Sequence, residues 1–129
     1  MDANDLAHVV ETGKGFDEAV VSVLRSVEKK GWSLFAVHDI QERLAAKGFE
    51  LGRVKIIEIC SAKYASQFLG KNALVSICLP CKISVFEEKG KVKIAGMLPR
   101  MMPMLFPEIK GEETAEAEAA VKEIVDNAK

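Results

Sequence analysis

The sequence predicts an α+β fold: a single domain with a mixed sheet of about five strands, helices mainly on one face, a C-terminal β-hairpin and a terminal helix. Three observations predict it. β-rich apolar runs alternate with amphipathic helical stretches from residue 6 to about residue 69. Two β-rich runs then follow one another across a short Gly-containing loop, and a last helical stretch closes the chain. With 129 residues, 49% apolar and 29% charged, the chain has the size and composition of one globular domain with a real core.

The elements follow in order. Leu6 to Glu11 alternates loosely and reads as a strand, ended by the turn residues Thr12-Gly13-Lys14-Gly15. Phe16, Ala19, Val20, Val23, Leu24 and Val27 then recur at helical spacing and form one apolar stripe. Arg25, Lys29 and Lys30 stand near the negative end of that helix, and Gly31 is its natural stop. Trp32 to Val37 reads as a second strand. Asp39-Ile40-Gln41-Glu42 has the spacing of an N-cap with a reciprocal carboxylate, opening a short helix to Lys47 that Gly48 closes.

Lys55 to Cys60, rich in Ile, is the third strand. Ser61 can cap a helix running to about Leu69, which Gly70-Lys71-Asn72 breaks. Lys82 to Glu87 and Lys91 to Met97 are joined by Glu88-Lys89-Gly90 and read as antiparallel neighbours. Leu98 to Pro107 holds three of the four prolines and is not expected to be regular helix. From about Glu112 to Ala128, Ala117, Ala120, Val121, Ile124, Val125 and Ala128 share a helix face, with acids crowded at the positive end.

Composition excludes several function classes. Net charge is −1; residues 107–129 carry seven acids against three Lys, leaving only +3 for the remainder. That imbalance is too weak for a nucleic-acid footprint, and no basic stripe is interleaved with aromatics. No apolar stretch approaches the ~20 residues of a bilayer span, so no membrane association is expected. The acidic start Met1-Asp2-Ala3-Asn4-Asp5 is unlike a signal peptide, and the odd cysteine count is unlike a secreted disulfide framework. A cytoplasmic protein with three free thiols is the expectation.

Chemistry, if present, begins at those thiols. Cys78-Leu79-Pro80-Cys81 is a CxxC, but the redox version of that motif opens a helix whose amides stabilise a thiolate, and here a strand follows. Cys60 has the better setting, at a strand end immediately before a predicted helix. The site residues expected from thiol chemistry are therefore Cys60 as attacking or sulfur-carrying thiol and Cys81 as its resolving partner, with Cys78 auxiliary. The plain alternative is that all three are small buried hydrophobes.

Met97, Met101, Met102 and Met104 fall within eight residues, and thioethers beside thiols suit soft metals. Cys60, Cys81 and a methionine would then hold a soft ion or haem. Against that stands the ordinary use of such a segment as core or subunit contact. Structural zinc would need a fourth ligand from His8 or His38 at an unusual spacing, so no metal site is assigned and the cofactor is left unknown. Thr12-Gly13-Lys14-Gly15 is only a fragment of a phosphate loop, and Glu87-Glu88 is a solvated turn pair.

Several of these pieces together resemble the bacterial and archaeal family catalogued as domain of unknown function 302. They are Glu11-Thr12-Gly13; Gly15-Phe16-Asp17-Glu18-Ala19; Ile40 through Lys47; Cys60 with Tyr64-Ala65; and Leu79-Pro80-Cys81 with Val85-Phe86-Glu87. The resemblance covers roughly Val9 to Met104 and implies a compact α/β homodimer with no established reaction. It also points to Cys60 and the Pro80-Cys81 element as site positions. Many relatives carry Asn-Pro after the third strand where this chain has Ser61-Ala62, and the Met/Pro-rich segment 97–107 and acidic helix 112–128 look like local additions. The expected function is a homodimeric small-ligand or partner-binding module, with thiol chemistry or soft-metal or haem binding as alternatives.

Overall fold

The computed structural model describes residues 2–129. Thirteen short and long elements occur in the order α1 (Ala3–Leu6), β1 (Ala7–Thr12), α2 (Phe16–Lys30), β2 (Ser33–Asp39), α3 (Ile40–Ala45), β3 (Val54–Cys60) and α4 (Ala62–Lys71). A 3₁₀ helix (Ala73–Cys78), β4 (Cys81–Glu88), β5 (Lys91–Met97), a 3₁₀ turn (Pro99–Met101), α5 (Met102–Leu105) and α6 (Gly111–Ala128) complete it.

The five strands form one sheet in the order β1-β5-β4-β3-β2. All four pairings are antiparallel, so the mixed pairing expected from the sequence is replaced by a purely antiparallel sheet. The reason lies in α2, which carries the chain from one edge of the sheet to the other. β1 and β2 are successive in the chain yet never meet, and the strands that fill the space between them arrive later through turns or short helices.

Strand alternation decides which side is core. Ile57 lies opposite Ile83, Ile83 opposite Gly96, and Val85 and Val10 flank Ile94, so these side chains share one face. Ile57, Ile59, Ile83, Val85 and Ile94 are all fully buried there, under α2 and α6. α2 contributes Phe16, Ala19, Val20, Val23 and Val27, the stripe read from the sequence with Leu24 only partly buried. α6 buries all six residues of its predicted face, with Thr114 added at its start.

Local chemistry sets the ends. Gly31 closes α2 at φ 84°, and its N–H reaches Glu28 and Val27 carbonyls while Trp32 N–H also donates to Val27. Only glycine takes that left-handed step without strain. Asp39 caps α3 by accepting from Glu42 N–H at 3.0 Å. Ser26 Oγ donates to the Ile124 carbonyl at 2.6 Å and joins α2 to α6 inside the core.

α6 comes into close contact with the sheet at Gly96. A Cβ there would lie 2.7 Å from Val121 Cγ1 and 2.8 Å from Val125 Cγ2, so α6 sits directly on the bare backbone of β5. A second, smaller cluster of Phe68, Val75, Met102, Phe106 and Ile109 fills the end of the molecule beside α4. It corrects the reading of residues 98–107, because Met102–Leu105 forms one helical turn with Pro103 in its first positions, where proline's missing N–H has no partner to lose. No helix among the described residues is long and apolar enough to cross a membrane.

Candidate functional site

Two separate pieces of chain, the end of β3 and the Cys78-Leu79-Pro80-Cys81 stretch, bring all three thiols to one place. Cys60 is the last residue of β3, Cys81 is the first of β4, and Cys78 ends the 3₁₀ helix before it. All three line a single cavity, together with Trp32 from the end of α2, Met97 from β5, Met102 from α5 and Ala117 from α6. The register explains the convergence: β3 and β4 pair with Ile59 opposite Cys81, which brings the ends of both strands to the same rim.

One wall is aromatic. Tyr64 and Phe68 stand one helical turn apart on α4, and their rings stack at a centroid distance of 6.4 Å and an interplanar angle of 20°. Trp32 meets Tyr64 at 6.0 Å and 51°. The wall is almost entirely apolar, and the free space inside is ≈ 20 Å³. That is about room for one water molecule, which would find almost no partners there.

The electrostatics follow from this enclosure. Burial pushes the Cys81 thiol up to about 11, helped by the neighbouring Cys60 and opposed weakly by Lys82. Burial raises the Cys60 thiol as well. The predicted helix does begin after Cys60, and Ser61 caps it at 3.5 Å from Tyr64 N–H, but the enclosure shifts the thiol away from the ionised form that such a helix start favours. Tyr64 is raised first by burial and then by its hydrogen bond to the carboxylate of Glu116. Its ring lines the cavity while its hydroxyl reaches α6.

The remaining candidates stand elsewhere. His8 Nε2 lies 2.7 Å from Asp126 and His38 Nε2 lies 2.6 Å from Glu58, and neither lines the thiol cavity. Lys14 Nζ donates to Ser22 Oγ and to the Ala128 carbonyl, both at 3.0 Å, so the phosphate-loop-like fragment serves the C-terminal end of α6. Glu87 and Glu88 pair with Arg53 and Lys93. Of the methionines, Met97 and Met102 reach the cavity, Met101 packs against the smaller cluster and Met104 is exposed. Among the described residues no group of three His, Cys, Asp or Glu side chains is placed to hold a metal ion. The cavity as it stands is far below the ≈ 300 Å³ of ordinary cofactor pockets and does not admit a haem.

Sequence reading missed the aromatic wall. The available signal was Tyr64 and Phe68 at i and i+4 on the helix directly after Cys60, a spacing that places both on one face. Trp32 was assigned to a strand, whereas it closes the end of α2 and faces the cavity.

The family model described as "Domain of unknown function DUF302" matches residues 8–128. The chain belongs to the DUF302 family. Among solved structures, the uncharacterized conserved protein DUF302 from Bacillus stearothermophilus is similar to this DUF302 chain at 25% identity, over 96% of this chain and 98% of that one, with a TM-score of 0.89. No curated protein matches the chain. The DUF302 match takes in α6, beyond the Val9–Met104 stretch that carries the resemblance.

Proposed function

We propose that this DUF302 protein is a homodimeric binding module of the reducing cytoplasm whose ligand is a small uncharged molecule seated against Cys60, Cys78 and Cys81. The observation that carries the reading is the convergence of all three thiols, from β3 and from the Cys78–Cys81 stretch, on one apolar cavity. A cavity of ≈ 20 Å³ holds no more than a water-sized molecule as it stands, so the ligand enters when the 3₁₀ helix Ala73–Cys78 moves aside. That helix buries only Val75 and leaves Ile77 78% exposed, so few contacts hold it.

Native mass spectrometry of freshly purified protein, with and without reductant, tests this. The expected result is a dimer that carries a low-mass non-covalent adduct lost on mild activation. A monomer free of adducts overturns the reading.

A second reading, thiol chemistry with Cys60 and Cys81, is supported by the place of both thiols on the wall of one cavity. Their raised proton affinities count against a ready nucleophile. A persulfide mass, or a single soft metal ion bound with proton release, would move the assignment to this reading or to soft-metal binding at the same thiols.

A further inference from the structure

β2 is the outermost strand on its side of the sheet and pairs only with β3. One row of main-chain N–H and C=O groups along Ser33–Asp39 therefore faces outward, a template for another strand. Proteins usually blunt such an edge with charge or proline. The other edge is treated that way along its length, with His8 and Glu11 of β1 tied to Asp126 and Lys91, whereas β2 carries such residues, His38 and Asp39, only at its far end. From Ser33 to Val37, β2 has neither charge nor proline, and Leu34, Phe35 and Val37 are 49%, 60% and 39% exposed. The register shift between Leu34 and Ala36 makes Phe35 the extra residue of a bulge, the most exposed of the three.

Charge around this edge selects the occupant. Lys29, at the end of α2, stands before β2, beside Lys30, which pairs with Glu123; Asp39 and Glu42 stand at its far end. An antiparallel copy of the same strand sets each basic end against the partner's acidic end, whereas a parallel copy opposes like charges.

We infer that the occupant is β2 of a second copy, paired antiparallel about a two-fold axis near Ala36 so that two five-stranded sheets join edge to edge. Ala36 of each protomer then faces Ala36 of its partner, with Leu34 and Val37 of both copies on the helix side of the joint and Phe35 on the opposite face. The contact is isologous: the main-chain hydrogen bonds satisfy the edge, and the pairing covers its apolar residues. This inference rests on the dimer reading above and assigns its surface.

Sedimentation of the full chain up to about 100 µM, with hydrogen exchange of Ser33–Asp39, tests it. The wild type is expected to dimerise with slowed exchange along β2. Phe35→Lys should raise the dimer Kd at least about 100-fold and restore fast exchange, its circular dichroism unchanged, because Phe35 is solvent-exposed within one protomer. Leu105→Lys, on the exposed face of α5 remote from β2, should leave the Kd unaltered. A wild type that stays monomeric overturns the dimer reading itself. A dimer that survives Phe35→Lys, or that breaks with Leu105→Lys, overturns the β2 edge while leaving the dimer standing.

Discussion

Ile59 and Cys81 are direct partners across the β3–β4 ladder. Residues so placed share a face, so Cys81 takes the position beside Ile59 under the helices, and the burial that makes Ile59 a core residue also encloses the thiol. A proton affinity of about 11 against an ordinary 9.0 leaves roughly 100-fold less thiolate near pH 8. Alkylation of Cys81 by iodoacetamide near that pH is therefore expected to be at least about 100-fold slower in the folded chain than in urea. Equal rates, read by peptide mass mapping, would remove the cavity from the account of this thiol.

The same enclosure makes stability depend on alkaline pH. The unfolded chain loses the Cys81 proton near the ordinary value of 9.0, while the folded chain retains it to about 11. Between those values unfolding releases a proton, so stability that is complete below about pH 9 is lost as pH rises towards 11, by up to roughly 3 kcal/mol. Cys60 and Tyr64, both raised by burial, act in the same direction. Urea midpoints across that range should fall, and Cys81→Ala should fall less steeply; identical slopes in the two proteins would refute the assignment to Cys81.

Gly96 is where α6 meets the sheet, and adding one methyl group should be felt. The new Cβ of Gly96→Ala would stand 2.7 Å and 2.8 Å from stiff valine methyls on Val121 and Val125. Overpacking of this kind costs about 1–3 kcal/mol. Val121→Ala makes room, so the double variant should lose less than the sum of the two single losses in urea denaturation. Additive losses would mean that the close approach has no energetic consequence.

How much of this was legible beforehand depends on the range of the interactions. The buried faces of α2 and α6, the stop at Gly31 and the cap at Asp39 arise within one or two helical turns, and periodicity and local hydrogen-bonding chemistry reveal them. Strand order is another matter. That β1 and β2 end on opposite edges follows from where α2 crosses the sheet, which no local pattern encodes. The cavity is more remote still, since Cys60, Met97 and Ala117 come together only after the sheet, the smaller cluster and α6 have all assembled. Cys60 and Cys81 could be named from their places at strand ends, but the sign of their ionisation could not, because enclosure is a tertiary property that opposes the local helix start.

The β4–β5 hairpin offers the last test, and it concerns the turn at Lys89-Gly90. Both residues have positive φ, 53° and 76°, the conformation that a two-residue turn needs to match the twist of its strands. Gly90 takes it freely, but Lys89 carries a Cβ into the left-handed region at an expense of about 1 kcal/mol, where asparagine is far better tolerated. Lys89 makes no ion pair among the described residues, so little is forfeited by replacing it. Lys89→Asn should raise stability by about 0.5–1 kcal/mol, whereas Gly90→Ala should lower it by about 1 kcal/mol. Because the hairpin joins the two strands that carry Val85 and Ile94 into the core, both changes should appear in the global urea midpoint rather than as local fraying. A Lys89→Asn chain no more stable than the wild type would show that the turn tolerates lysine without strain.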